Sequence, residues 1–149
     1  MAAVKLSTIR GRIKTAIEAI AGEGLKESPL PYYAFGRTPN SIGHKAFSIG
    51  FLGTVAGENR QKPNVGALTQ TQLDISVCYR LRPLSQTADF DNALDLENKI
   101  IIALCDRTNA TLYQNTHIKF TTLNRSLVET GEYILSSIGF EILHHLPLN

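Results

Sequence analysis

The sequence predicts an α+β domain: an antiparallel sheet of about four strands that includes one extended hairpin, with two helices packed on one face. Residues 69–83 alternate strictly between apolar and polar side chains, which is typical of a strand with one buried face. Two other segments repeat their apolar residues with the 3.6-residue period of a helix. The order helix, long hairpin, helix, hairpin has no internal repeat and is typical of a single two-layer domain, here residues 1–149.

The first helix is expected over residues 8–21. Its apolar stripe consists of Ile9, Ile13, Ala16, Ile17 and Ile20. Ser7 is a candidate N-cap, and Gly22 is a suitable residue to end the helix.

A long connection, residues 24–43, follows this helix. Pro29, Pro31 and Pro39 argue against a regular element here. Its aromatic residues nevertheless predict an extended segment packed on the domain or on a neighbour. Whether the segment docks a partner is left open.

The extended hairpin is expected to begin with a strand over residues 44–55, which contains Gly50 and Gly53 as signs of a bend, a bulge or a close backbone approach. Residues 56–68 have little apolar content and predict a flexible tip. In the second strand one face is apolar, with Leu73, Ile75, Val77, Tyr79 and Leu81. The other face is polar, with Gln72, Asp74, Ser76, Cys78, Arg80 and Arg82.

The second helix is expected from about residue 85 to about 106, capped by Thr87 or Asp89. Its main stripe is Phe90, Ala93, Leu94, Ile101, Leu104 and Cys105. Ile102 almost closes the apolar circle, so the helix should be covered by the sheet and also by the first helix or another subunit.

The last two strands are expected over residues 117–129 and 133–146, joined by a turn at 129–132. The final strand has apolar residues on both faces. This pattern predicts a central strand.

Composition excludes several classes of function. The chain has 149 residues, 43% hydrophobic residues, 19% charged residues and a net charge of +2, which is too low to indicate nucleic-acid binding. It has no apolar run long enough to span a membrane. Its N-terminal segment contains Glu18 and Glu23 and ends in a good cap, which indicates a folded helix and not a transit peptide. Cys78 and Cys105 fit no metal or redox spacing and are expected to be reduced, buried thiols.

The search for catalytic or metal-binding patterns finds none that is specific, so no cofactor is expected. His144 and His145 are adjacent and would point to opposite faces of a strand. Asp91 and Asp95 share a helix face and resemble an acid pair, although a solvated helix start explains them better. An alternative is therefore a small α+β hydrolase or nuclease that uses Asp91, Asp95 and His117.

Basic side chains are the remaining candidates for functional residues. They are Arg60, Lys62, Arg80, Arg82, Arg107, Lys119 and Arg125. Several copies of the chain could arrange them around a channel, or they could simply keep a monomer in solution.

The arrangement of elements resembles the tail terminator proteins of long-tailed bacteriophages. The resemblance lies in the amphipathic first helix, the hairpin HKAFSIGFLGTV…TQTQLDISVCYRLRP, the helix SQTADFDNALDLENKIIIALCD and the closing strand within GEYILSSIGFEILHHL. It covers most of the chain.

The resemblance implies a non-enzymatic virion protein without a cofactor or membrane, assembled in the host cytoplasm. It implies a homohexameric ring that caps the tail tube, ends tail polymerisation and docks to the head–neck connector, while DNA passes through the lumen without sequence reading. The candidate subunit or tube interface comprises Arg60, Lys62, Arg80, Arg82, Ile102 and Arg107, and the candidate lumen residues are Lys119 and Arg125. A different neck, connector or head-closure subunit would share these features.

Overall fold

The computed structural model describes residues 2–33, 35, 43–62, 66–128 and 131–148, with the side chains of 57–62 outside the description. The helices are α1 (Leu6–Glu18) and α2 (Gln86–Leu104). The strands are β1 (Lys26–Glu27), β2 (Ala46–Lys62), β3 (Gly66–Arg80), β4 (Thr116–Val128) and β5 (Tyr133–Leu146).

The sheet has five strands in the order β1-β2-β3-β5-β4. The α+β class is therefore confirmed. The expectation of about four antiparallel strands is wrong, because β1 pairs with β2 in parallel and makes the sheet mixed. A two-residue strand is too short to give a sequence pattern, and β1 lies in the segment whose prolines argued against a regular element.

Both helices pack on one face of the sheet, which we call the front face. The core beneath them joins Ile9, Ile13 and Ile17 of α1 to Leu96, Ile100 and Leu104 of α2 and to buried residues of β3 and β5. The uncovered side of the sheet is called the back face. Burial of one apolar stripe from each helix is what holds the two layers together.

The start of α1 differs from the prediction. The helix begins at Leu6 with Lys5 at the N-cap, and no side chain caps it, so the expected Ser7 cap is wrong. The preceding residues explain this start, because Ala3 forms a parallel bridge to His145 and the Val4 amide donates to the His145 carbonyl at 2.8 Å. The chain thus enters the helix directly from the end of β5.

The hairpin of β2 and β3 is longer than the alternation predicts. Residues 56–68 were expected to form a flexible tip, but β2 continues to Lys62 and β3 begins at Gly66. The pairing jumps from Ala56↔Thr69 to Gln61↔Ala67. This irregularity places three extra residues in β2, which breaks the two-residue period by which a strand is recognised.

The orientation of α2 also departs from the predicted stripe. Its buried residues are Asp89, Ala93, Leu96, Glu97, Ile100 and Leu104, whereas Phe90 and Ile102 are exposed. Neither Thr87 nor Asp89 caps the helix; the N-cap is Ser85, without a side-chain bond. The helix buries two carboxylates because each has an arginine partner, and a count of apolar residues alone does not reveal that.

A bulge in β4 reverses its alternation. Phe120 pairs with Phe140 and Thr122 with Gly139, so one extra residue of β4 lies between them. After the bulge the odd-numbered side chains face front, and Arg125 bonds both carboxylate oxygens of Glu97 at 2.8–3.0 Å. Strand β5 lies between β3 and β4, which confirms its predicted central position.

The proline-rich connection crosses the back face as a packed segment, which confirms that part of the prediction. We call residues 28–33 and 35 the strap. The Ser28 amide donates to the Phe47 carbonyl at 2.8 Å, Phe35 is buried, and the Tyr32 ring lies over Gly50. Residues 34 and 36–42 of the connection lie outside the described residues, as does part of the expected turn at 129–132.

The contact between Tyr32 and Gly50 predicts a specific intolerance to a side chain. Gly50→Ala would place a Cβ inside the van der Waals surface of the ring, so the strap must move, at a cost of about 1–3 kcal/mol. Gly53→Ala is the matched control, since nothing lies within 4 Å of its Cβ position, and it should change stability by less than about 0.5 kcal/mol. Urea unfolding measures both, and equal effects would contradict the packing of the strap.

The pair between α2 and β4 predicts a second effect on stability. Glu97 is 1% exposed, so Arg125→Met leaves a buried carboxylate without its partner. We expect the free energy of unfolding to fall by about 2 kcal/mol. This is less than the loss on breaking a fully buried ion pair, because the Arg125 side chain is 39% exposed. The double variant Glu97→Leu/Arg125→Met should recover most of the loss in a double-mutant cycle of urea unfolding. Additive losses would show that the pair does not act as a unit.

Candidate functional site

The sheet has two lateral edges, and the strands there carry exposed apolar side chains. Within the described residues no strand pairs with the outer edge of β4. Strand β2 pairs with β1 at Ala46 and Phe47, and the Tyr33 hydroxyl donates to the Phe51 carbonyl at 3.5 Å. Beyond Phe51 no described residue pairs with the outer edge of β2. We call these two surfaces the β4 edge and the distal β2 edge.

The β4 edge has an apolar flank shared with α2. Phe120 is 38% exposed and Leu127 is 65% exposed on β4. Phe90, Leu94 and Ile101 lie on the same side of α2 as Glu97, which faces β4 through Arg125. Large side chains that remain this exposed beside an open edge are typical of an interaction surface.

The distal β2 edge has a smaller apolar content. Leu52 is 45% exposed and Val55 is 67% exposed. Arg60 and Lys62, predicted interface residues, belong to this part of β2, but their side chains lie outside the described residues.

The predicted basic residues do not form one surface. Lys119 lies on the back face, whereas Arg125 lies on the front face in its pair with Glu97. Both were predicted to line the lumen, and the bulge after Phe120 places them on opposite faces of the sheet. Arg107 follows the C-terminal end of α2, and Ile102 is 60% exposed on the side of α2 opposite the core.

Arg82 departs from the predicted polar face of β3. The strand ends at Arg80, and the Arg82 guanidinium bonds both carboxylate oxygens of Asp89 at 2.9 and 3.1 Å. The hydrogen bonds from Arg82 hold the pKa of Asp89 below its usual value. The Arg82 backbone amide also donates to Asp89, at 2.8 Å, so this carboxylate fixes the turn between β3 and α2.

The polar face of β3 meets the chain's own strap over part of its length. Asp74, Ser76 and Cys78 are all buried. The Tyr32 hydroxyl donates to Asp74, and burial raises the pKa of this carboxyl despite that hydrogen bond. Burial also raises the pKa of Cys78 to about 12, and its predicted burial is confirmed. Cys105 was predicted to be buried but is only half-buried.

Two glycines flank Asp74 on the neighbouring strands. Gly50 of β2 and Gly139 of β5 both pair with Asp74. A side chain at Gly50 would meet the Tyr32 ring, and one at Gly139 would meet the Thr122 hydroxyl. The sequence signalled this site only through Gly50, because the strap that covers it comes from a distant part of the chain.

A second buried polar cluster lies on the front face near the N-terminus. His144 is fully buried, and its Nε2 lies 3.2 Å from the Thr69 hydroxyl and 3.0 Å from the Thr71 hydroxyl. Its Nδ1 has no hydrogen-bond partner among the described residues. Burial lowers the pKa of His144, so the ring is held neutral.

The residues of the enzymatic alternative are not brought together. Asp91 and Asp95 are exposed on α2, which covers the front face, whereas His117 belongs to the back face of β4. Within the described residues no three histidine, cysteine, aspartate or glutamate side chains are placed to hold a metal ion. None of the described helices is long and apolar enough to cross a membrane.

Comparisons with known proteins do not identify a relative. No family model matches the chain, and the search of curated proteins finds no significant match. Functional inference therefore rests on the surfaces described above and on the resemblance noted in the sequence.

The environment of Asp74 predicts a pH dependence of stability. Because folding raises the pKa of Asp74, its contribution is fully present below the unfolded pKa and is lost as the pH rises through the folded value. Asp74→Asn should therefore increase the free energy of unfolding at pH 7, and the increase should shrink as the pH falls toward 3.

Urea unfolding between pH 3 and pH 8 measures this difference. Tyr32→Phe should make the pH dependence steeper, because it removes a donor that favours the ionised carboxyl. A constant difference between wild type and Asp74→Asn across this range would contradict the assignment.

Proposed function

We propose that this chain is a structural subunit of a bacteriophage virion that assembles into a closed ring at the end of the tail tube. In this role it ends tube polymerisation and docks the tail to the head–neck connector, as the tail terminator resemblance implies. The ring is a homohexamer, and DNA passes through its lumen without sequence reading. The protein has no catalytic role.

The observation that carries the proposal is the pair of dissimilar open edges. The β4 edge and the distal β2 edge lie on opposite sides of one sheet, and each has exposed apolar side chains. A ring needs two different surfaces that are complementary to each other, so that each subunit contacts the next head to tail. Strand pairing between one edge and the other would satisfy the unpaired backbone groups of both.

The exposed surface of α2 gives further support. Ile102 is 60% exposed on a helix whose buried side is already covered by the sheet and α1. A second contact surface on α2 suits a subunit that meets both its neighbours in the ring and the tube or the connector.

The enzymatic alternative receives less support from the same residues. A hydrolase or nuclease needs its acid, base or metal ligands within hydrogen-bond reach of one substrate position. Asp91 and Asp95 lie on the helix layer, while His117 belongs to the back face of the sheet. A different neck or connector subunit would use the same edges, and termination of tube growth distinguishes the terminator role from it.

The two-edge arrangement predicts how assembly responds to substitution. Leu127→Asp should disable the β4 edge and Val55→Asp the distal β2 edge, each converting rings to monomers in light scattering. Leu84→Asp is the matched control, since Leu84 is fully exposed and belongs to neither edge. It should leave the ring mass unchanged.

Mixing the two disabled variants tests the direction of the contact. Each retains the surface that the other has lost, so an equimolar mixture should form a dimer but no ring. Wild-type protein should form a hexamer alone or on addition of tail tube, and should stop tube growth. A monomer that is insensitive to salt and ignores tail tubes would refute the proposal.

A further inference from the structure

We infer that a pocket between the start of β2, the end of β3 and the beginning of α2 binds a phosphate group. His44, Tyr79, Arg80, Arg82 and Asp89 line it. Its volume is about 370 Å³, which lies in the lower part of the range of small-molecule sites. This inference goes beyond the proposed ring and does not depend on it.

Arg82 is held in position before any ligand arrives. Its Nε and Nη2 donate to the two carboxylate oxygens of Asp89, which is itself buried. Nη1 takes part in no hydrogen bond within the described residues, and the side chain is 63% exposed. A guanidinium anchored along one edge keeps its remaining N–H donors in a fixed geometry, which suits recognition of phosphate oxygens.

Arg80 supplies an uncompensated charge. Its side chain is exposed and forms no ion pair or hydrogen bond with any described residue. Asp89 is the carboxylate that lines this pocket, and Arg82 already occupies both of its oxygens. The pocket therefore has an excess of positive charge.

His44 completes the set of donors. Its Nδ1 accepts a hydrogen bond from the Arg80 backbone amide at 3.1 Å, so the neutral ring carries its hydrogen on Nε2. The ring packs edge-to-face on Tyr79, with centroids 4.6 Å apart, which fixes its orientation. Burial lowers the pKa of His44, and the charges of Lys45, Arg80 and Arg82 lower it further, although Asp89 opposes them.

Lys45 lies beside the pocket residue Tyr79 and forms an ion pair with Glu23. Its Nζ is 6.0 Å from the Tyr79 ring centroid and 3.0 Å from a Glu23 carboxylate oxygen. Glu23 also pairs with Lys99 at 2.5 Å, so one carboxylate there faces two lysines. The surroundings thus add positive charge to that of the pocket itself.

A phosphate could be presented by the backbone of duplex DNA or by a small phosphate compound. In both cases Arg80, the Nη1 edge of Arg82 and the Nε2–H of His44 would donate to the non-bridging oxygens. Contacts to phosphate oxygens do not read a base edge, so DNA binding through them would be independent of sequence.

Titration with inorganic phosphate tests the site directly. In NMR spectra of ¹⁵N-labelled protein, the side-chain Nε–H signals of Arg80 and Arg82 should shift and saturate. Arg80→Gln should weaken binding about tenfold, the loss expected for one charged hydrogen bond. Arg107→Gln removes the same charge beyond the opposite end of α2 and should leave the affinity unchanged.

Fluorescence anisotropy with a labelled DNA duplex separates the two sources. One outcome is that DNA binds, that Arg80→Gln weakens DNA binding and lowers the number of ions released by about one, and that Arg107→Gln changes neither quantity. The phosphate then comes from nucleic acid. If inorganic phosphate saturates the site and DNA does not compete, the source is a small phosphate compound. Absence of a saturable phosphate shift would overturn the inference, as would equal effects of the two substitutions. Thermal melting of each variant confirms that it is folded.

Discussion

The antiparallel pairing of β3 with β5 is the constraint on which the rest of the structure depends. It runs from Ala67↔Leu146 to Arg80↔Tyr133 and sets Leu73 against Phe140 and Ile75 against Ile138 on the front face. A slip of one residue would bring Asp74 and Gly139 beneath the helices. This register therefore fixes both which face receives α1 and α2 and which face is left for the strap.

The position of α2 over that sheet follows from two buried carboxylates. Asp89 ties the beginning of the helix to the turn after β3, and Glu97 ties its middle to β4. Because both bonds are short and directional, they select one rotation of the helix about its axis among those that would bury enough apolar surface. That rotation leaves Phe90 and Ile102 exposed, so the interaction surface is a consequence of the ion pairs.

The sequence predicted the features that depend on local periodicity and missed those that depend on distant partners. The stripe of Ile9, Ile13 and Ile17, the alternation of β3 and the central place of β5 follow from regular patterns. The bulge after Phe120 places Arg125 on the opposite face from Lys119, and one inserted residue cannot be recognised in a loosely alternating segment. The site around Asp74 needs the strap, and the phosphate pocket needs His44 beside Arg80, residues that are far apart in sequence.

The strap also explains why the two edges of the sheet differ. On β2 it occupies the edge next to β1 as far as Phe51, so the open part begins only where the hairpin extends further. On β4 no described segment covers the edge, which is therefore open beside the apolar flank of α2. Two identical edges would favour pairs of subunits related by a twofold axis. Unequal edges favour contact between one edge and the other, and repeated contact of this kind with a fixed rotation closes into a ring.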